Sequence, residues 1–169
     1  MPKKLLMLLS LLCGASVHAM PPADPTRLDE VAERGSHVMP FALEKTLHIF
    51  NKTPTGGIQQ VIAKDATDSE QISLIRRHLA HIAARFAEGD FSGPQSIHGN
   101  DMPGVKELST AKGQSSFIYR DLPNGAEIEF RADNQQLIDA VHRYFDAQLS
   151  DHARHALPGE HDLHHGHHP

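Results

Sequence analysis

Cysteine is almost absent from this chain: the one cysteine among its 169 residues is Cys13, close to the amino terminus. Residues 1–19 predict a cleavable export signal, because Lys3 and Lys4 precede a short apolar run that ends in the small-residue pattern VHA. Cleavage after Ala19 would remove Cys13. We therefore expect a mature protein without a disulfide, a thiolate ligand or a cysteine nucleophile.

A lipoprotein signal is the alternative for the same segment, since Cys13 is followed by Gly14. The residue before that cysteine is Leu12, whereas a lipoprotein signal usually has a small residue there. We therefore favour a released protein over a lipid-anchored one.

Long apolar runs and excess positive charge are also missing. After the signal, no apolar stretch approaches the ~18 residues that a transmembrane helix needs. The chain carries 16 basic residues against 21 acidic ones, a net charge of −5, and loss of the two signal lysines makes it more negative. This charge disfavours nucleic acid and anionic membranes as partners. The sequence predicts a periplasmic or secreted protein with no stable membrane insertion after signal cleavage.

Catalytic motifs are a further absence. The chain has no G-x-S-x-G nucleophile turn, no H-E-x-x-H zinc motif and no glycine-rich phosphate loop. The spacing of its carboxylates does not indicate a pair that acts in general acid–base catalysis. We expect a binding protein rather than an enzyme. A hydrolase-like enzyme, with a site assembled from distant residues, is the less favoured alternative.

The apolar pattern predicts an α+β domain built on a repeat. Residues 47–64 contain two β-prone runs around a turn of proline and glycine, and residues 67–86 form an amphipathic helix that opens with the capping sequence TDSE. The same order returns, with a hairpin over residues 117–133 and a helix that runs to residue 149. We expect a duplicated β-hairpin–helix unit, ββαββα, that forms a four-stranded antiparallel sheet with two long helices on one face.

This pattern divides the chain into four segments. Residues 1–19 are the signal peptide, and residues 20–36 are an amino-terminal segment with a short helix ended by Gly35. One α+β domain occupies residues 37–156, with the repeat at about 47–86 and 115–149. Residues 157–169 form a histidine-rich tail that we expect to be disordered.

Histidine is the residue in excess. Seven of the 14 histidines lie between Asp151 and Pro169, and the chain ends in HDLHHGHHP, which is interrupted too often to be a purification tag. Imidazole is a good ligand for zinc, copper and nickel. We therefore predict adaptable metal binding by the carboxyl-terminal histidines, which are His152, His155, His161, His164, His165, His167 and His168.

Methionine accompanies histidine at two places in the domain. His37 and Met39 are two residues apart, so their side chains would share a face of an extended chain. His98 and Met102 lie in one glycine-containing loop, where the backbone can approach a ligand closely. Thioether sulfur favours Cu(I). These pairs make copper the first choice of metal, with zinc or nickel as alternatives.

The remaining histidines of the domain are weaker candidates. His78 and His81 are three residues apart on the first long helix, while His48 alternates with Phe50 on a strand. His142 lies one position from His78 in the repeat alignment, so the duplication could bring these two together near its pseudo-symmetry axis. Each of these histidines could equally serve only packing or hydrogen bonding.

The motifs HVMPF, GDFSGPQSIHG and MPG carry a resemblance to known sequences. Residues 35–149 resemble a family of small exported bacterial proteins with histidine-rich carboxyl termini, which are often labelled aspartate carbamoyltransferase. The resemblance implies no activity and no catalytic residues. The label itself conflicts with the sequence. A carbamoyltransferase holds carbamoyl phosphate with a Ser-Thr-Arg-Thr run, and the nearest match, LSTAKG, has Ala111 in place of the arginine. A true catalytic chain is also about twice as long, with two domains.

Together these features predict an exported transition-metal-binding protein that sequesters or delivers copper, with the tail gathering the ion. Its partners would be the metal ion and an envelope protein that donates or receives it. The alternative is a protein–protein interaction module that uses the open face or the edges of its sheet. Metal binding requires histidine and methionine side chains to converge, whereas an interaction module requires an exposed apolar patch. Histidine ligation also predicts weaker metal binding below a pH of about 6.5.

Overall fold

The computed structural model describes residues 21–159, which form five helices and five strands. The helices are α1 (Pro25–Val38), α2 (Ser69–Ala87), α3 (Ser92–His98), α4 (Val105–Thr110) and α5 (Gln135–Asp151). The strands are β1 (Thr46–Thr53), β2 (Gly56–Ala63), β3 (Ser115–Leu122), β4 (Gly125–Ala132) and β5 (Ala156–Pro158). Within these residues, no helix combines the length and the apolar character needed to cross a membrane. The predicted signal peptide and the tail histidines from His161 to His168 lie outside the described residues.

The α+β class is confirmed, and the sheet differs from the predicted one by an additional strand. The strand order is β3-β4-β2-β1-β5, in which the hairpins β1–β2 and β3–β4 join through the antiparallel pair β2–β4. β5 pairs with β1 in parallel, so the sheet is mixed rather than antiparallel throughout. The three residues of β5 are too few to show a periodic pattern, which is why the sequence places Leu157 and Pro158 in the tail.

The order of hairpin and long helix occurs twice, as β1–β2–α2 and β3–β4–α5, and both helices cover one face of the sheet. Phe86 of α2 and Phe145 of α5 both contact Phe130 of β4, with ring centroids 5.9 and 5.1 Å apart. A Cβ at Gly57 of β2 would lie 2.3 Å from the Phe145 ring, so this glycine lets α5 approach the sheet. Burial of such a ring stabilises the fold by about 1.5–3 kcal/mol. These aromatic contacts form the centre of the core.

α2 begins one residue later than the capping sequence implied. Its N-cap is Asp68, whose carboxylate accepts a hydrogen bond from the backbone N–H of Gln71 at 3.1 Å. Most of the predicted apolar stripe is buried, namely Ile72, Ile75, Leu79 and Phe86. Ile82 is only half-buried, because a cavity opens beside it.

α1 packs against the rest of the domain. Asp24 caps it by accepting from the backbone N–H of Arg27 at 3.1 Å, and Pro25 is its first residue. The predicted end at Gly35 is wrong, since the helix continues to Val38. Gly35 is buried and serves packing instead: a Cβ there would lie 2.7 Å from Cε of Met39, which folds back over the helix.

Candidate metal-binding cavity

A cavity of about 50 Å³ lies between the core face of β1 and helices α1, α2, α3 and α5. This volume is enough for an ion or a small number of water molecules. Four histidines and one methionine contribute to its wall, namely Met39, His48, His78, His98 and His152. The fold thus gathers potential ligands that are far apart in the sequence.

Three of these histidines are buried, and each comes from a different element. His48 lies on β1, His98 is the last residue of α3 and His152 is the C-cap of α5. α3 ends directly after His98 because Gly99 adopts a φ of 99°, which favours glycine. The His152 ring stacks on His48 with centroids 5.4 Å apart and meets His98 edge-on at 4.9 Å. The three imidazoles therefore form one buried cluster.

A charged network holds His98 in place. Its Nδ1 lies 2.7 Å from Oδ2 of Asp151, and Arg27 donates to both carboxylate oxygens of Asp151, at 3.2 and 2.6 Å. Arg27 also donates to the backbone carbonyl of His98 at 2.6 Å. Burial opposes ionisation of Asp151, but the hydrogen bonds from His98 and Arg27 outweigh it and lower the pKa of Asp151 to about 2. Because an ionised carboxylate only accepts, Nδ1 of His98 carries the hydrogen in this contact, and Nε2 is the ring atom left for a ligand.

The neighbouring imidazoles are held in the neutral form. Burial, with smaller contributions from nearby histidines, lowers the pKa of His48 to about 3 and that of His78 to about 4. Burial also lowers the pKa of His152 well below its usual value. Nε2 of His48 is buried and has no hydrogen-bond partner within the described part of the chain. A buried polar atom without a partner costs about 1–3 kcal/mol, so this nitrogen would gain from a ligand.

The rim of the cavity is more open than its floor. Val38, His78 and Ile82 are half-buried, whereas the floor is closed to solvent. The ring of His78 packs edge-on against Phe41 at a centroid distance of 5.6 Å, and Phe41 contacts His48 at 5.9 Å. His78 therefore stands between solvent and the buried histidines.

Not every predicted ligand reaches the cavity. His37 is exposed while Met39 lines the wall, because residue 37 belongs to a helix and the expected extended geometry is wrong. Met102 is 5% exposed and packs in the hydrophobic core; it lines a different cavity, together with His98, and does not reach the one described here. His81 is exposed on α2, one turn beyond His78.

Two further candidates have other roles or positions. Nε2 of His142 donates to the backbone carbonyls of Thr53 and Gly56, at 3.0 and 2.9 Å, and thereby secures the β1–β2 turn. The expected meeting of His78 and His142 is not formed, since His78 lines the cavity and His142 does not. His155 lies next to the cluster: its backbone carbonyl accepts from the N–H of His48 at 2.9 Å. The histidines from His161 onward lie outside the described residues.

The donor atoms at the cavity have to be matched to a metal. Within residues 21–159, no three histidine or carboxylate side chains are arranged so that they could hold an ion without moving. A preformed tetrahedral zinc site is therefore not present in that part of the chain. The available donors are imidazole nitrogens and the thioether of Met39, a soft set that suits copper. The cavity therefore suits an ion that needs few ligands. Binding of that ion would have to rotate these side chains.

Sequence reasoning missed the residues that support the histidines. Arg27 and Asp151 are 124 positions apart, and each is an ordinary polar residue of an amphipathic helix. Gln148 and Tyr144 are one turn apart on α5, and the Gln148 amide donates to the Tyr144 hydroxyl at 2.9 Å at the cavity wall. No spacing rule identifies such partners before the elements are placed.

Comparison of this chain with known protein families, curated proteins and solved structures finds no match. The function therefore has to be argued from the cavity itself.

Proposed function

We propose that this protein is an exported, periplasmic carrier of a transition metal, copper in first place, and that the ion binds in the cavity. The contact between His98 and Asp151 carries the proposal. A metal-binding histidine commonly donates its second ring N–H to a carboxylate, which fixes the ring and makes the other nitrogen a better ligand. Arg27 fixes that carboxylate in turn.

The donor set favours copper over harder ions. His48, His98 and His152 offer nitrogens, and Met39 adds a thioether that favours Cu(I). Imidazole binds metal only in its neutral form, and burial keeps His48 and His152 neutral at pH 7. Zinc prefers a tetrahedral set, so zinc and nickel are the second choices.

The histidine-rich tail fits this function as a gathering arm. β5 pairs with β1 opposite His48, so the tail starts at the strand beside the cavity wall. Any chain of ten residues, the number from 160 to 169, can span at most about 33 Å. That reach exceeds the radius of gyration of about 14 Å expected for a domain of this size. Ions held by the tail are then within range of the domain surface.

Metal titration of two forms of the mature protein tests the proposal. The first is the natural chain; the second, the glutamine-tail form, has glutamine at the five tail positions His161, His164, His165, His167 and His168. This change removes the tail ligands and keeps the tail length. We expect the glutamine-tail form to keep one tight copper site and to lose the weaker sites. Calorimetric titration with Cu(I), Cu(II), Zn(II) and Ni(II) measures the number of sites, their affinity and their selectivity.

Two outcomes decide the matter. If the glutamine-tail form binds no metal, the cavity is not a metal site and the proposal fails. If it binds one ion, His98→Gln in the same form should abolish that site, because its predicted ligand is then removed. An unchanged site in the His98→Gln protein would contradict the cavity as its location.

The alternatives have weaker support. The outer face of the sheet carries the half-buried Ile49 and Ile58, and Leu157 is 51% exposed, which is the basis for an interaction module. The convergence of the buried histidines instead supports the metal-binding proposal. For a hydrolase, the His98–Asp151 pair could orient a base. The nucleophile would then be the hydroxyl of Tyr144, which lines the cavity. This hydroxyl already accepts a hydrogen bond from Gln148, so the support for a hydrolase is weaker.

A further inference from the structure

We propose that the metal ion enters the cavity past His78 and His81 of α2, and that His81 is the residue that first binds the ion from solvent. This proposal rests on the carrier function proposed above. It adds a residue that lies outside the cavity and is not one of its final ligands.

The exposure of the lining residues locates the entrance. Those that are half-buried are Val38 at the end of α1, His78 and Ile82 on α2, and two residues at the start of α3. The others, including His48 and His98, are at most 7% exposed. Solvent therefore reaches the cavity between α1, α2 and α3. His78 is the residue on this rim that carries a metal ligand.

His81 is placed to pass an ion from solvent to His78. Residues three apart on a helix are neighbours, so His81 lies next to His78 on the surface of α2. His81 is exposed, whereas His78 is half-buried. An ion captured at His81 is thus one ligand exchange from the rim.

The ion passes from the rim to the floor across the cavity, because His78 and His48 both line it. Phe41 packs against both rings, at centroid distances of 5.6 and 5.9 Å, and holds them in place. His48 then stacks on His152, and its Nε2 is buried without a partner. At each exchange a new metal–nitrogen bond forms as an earlier one breaks, and the oxidation state of the ion does not change.

Tyrosine fluorescence offers a signal from inside the cavity. The chain has two tyrosines and no tryptophan, and Tyr144 lines the cavity while Tyr119 lies on β3. Tyr119→Phe in the glutamine-tail form leaves Tyr144 as the one tyrosine. Cu(II) quenches tyrosine emission at short range, so stopped-flow mixing with Cu(II) reports the arrival of the ion. Removal of Cu(II) by a chelator reports its departure.

The test compares His81→Gln with a double variant, His81→Gln and Ala80→His, in this background. Ala80 is exposed, so the double variant restores the imidazole count but moves the ring about 100° around α2. We expect both variants to load and unload about tenfold more slowly, because the local concentration of ion at the rim falls. The equilibrium affinity should stay the same, since an entrance changes the rates in both directions equally.

The outcomes separate this proposal from the one beneath it. If the parent protein shows no quenching of Tyr144, the cavity does not take up Cu(II), and the entrance proposal fails; the carrier proposal is then decided by the titration with Cu(I). If the parent is quenched and His81→Gln loads at the parent rate, the entrance is elsewhere and the carrier function stands. A lower affinity with an unchanged loading rate would make His81 a ligand of the bound ion and would also overturn the proposal.

Discussion

Asp151 determines several properties of the site through a single side chain. It accepts from Nδ1 of His98, it is held by Arg27, and its lowered pKa keeps it ionised. These contacts fix both the orientation of the His98 ring and the nitrogen that carries its hydrogen. The affinity of His98 for a metal ion would therefore depend on Asp151, a residue that would not itself contact the metal.

We expect Asp151→Asn to lower copper affinity about 10–100-fold, which is the usual effect of removing such a carboxylate. The amide can donate to Nδ1, so the hydrogen of the ring moves to Nε2 and blocks the ligand nitrogen. Nitrogen-15 NMR of the histidine rings measures the tautomer, and titration measures the affinity.

Asp146→Asn is the matched control, because Asp146 lies on the same helix as Asp151 but pairs with Lys52 of β1 and does not contact His98. It should leave both the tautomer and the affinity unchanged. A His98 ring that keeps its hydrogen on Nδ1 in the Asp151→Asn protein would contradict the role given to the carboxylate.

Among the elements, α1 supplies the wall of the cavity that carries the thioether. Gly35 is buried within the helix, and the Met39 side chain folds over it, with Cε only 2.7 Å from where a Cβ would be. A glycine inside a helix lowers its stability by about 1 kcal/mol relative to alanine. The glycine that makes room for the Met39 side chain therefore lowers the stability of α1.

For Gly35→Ala we expect a protein of similar stability, within about 1 kcal/mol, because the helix gains what the displaced methionine loses. Met39 must move, so the affinity for Cu(I) should fall while the affinity for Zn(II) changes little. Thermal unfolding and titration with the two ions measure these effects. Ser36→Ala serves as the control, since Ser36 is exposed on the same helix and does not line the cavity. Equal loss of both metals in the Gly35→Ala protein would rule out a thioether effect.

The elements also differ in how well they can be predicted from the sequence. α2 and α5 were predictable because their apolar stripes repeat over many turns, as with Ile72, Ile75 and Leu79. The sequence identifies His48, His78, His98 and His152 as candidate ligands, because imidazole is a common metal ligand. Their grouping could not be predicted, because it depends on where strand, helix and C-cap meet. Met102 shows the reverse case, in which a plausible ligand belongs to the core.

On the scale of the whole molecule, α1 is joined to the end of α5. The backbone N–H of Ala23 donates to the carbonyl of Ser150 at 3.1 Å, and Arg154 pairs with Asp29 at 2.6 Å. With the Arg27–Asp151 pair, these contacts hold the segments that enclose the buried histidines. Stability and the protonation of those histidines are therefore linked.

We expect the metal-free protein to lose stability as the pH falls below about 6.5. The pKa of His48 is about 3 in the fold and about 6.5 in the unfolded chain. Between these values the unfolded chain binds more protons, so the free energy of unfolding falls with falling pH, by up to about 1.4 kcal/mol per pH unit for this one residue. The lowered pKa of His152 acts in the same direction.

Urea denaturation across this pH range measures the slope. His48→Met, which replaces a buried titrating group by an apolar one, should make the slope shallower. His37→Met makes the same substitution at an exposed position and is the comparison for the effect of the added methionine. Identical slopes in the natural protein and the His48→Met protein would show that His48 is not buried in its neutral form.

The contact between Arg27 and Asp151 also has a consequence for biosynthesis. A ribosome releases Arg27 early and Asp151 only after 124 further residues. Asp151 and His152 come from the last helix, so the cavity has no complete wall while the chain is still being made. The order in which the chain is synthesised therefore delays metal uptake until α5 has been made.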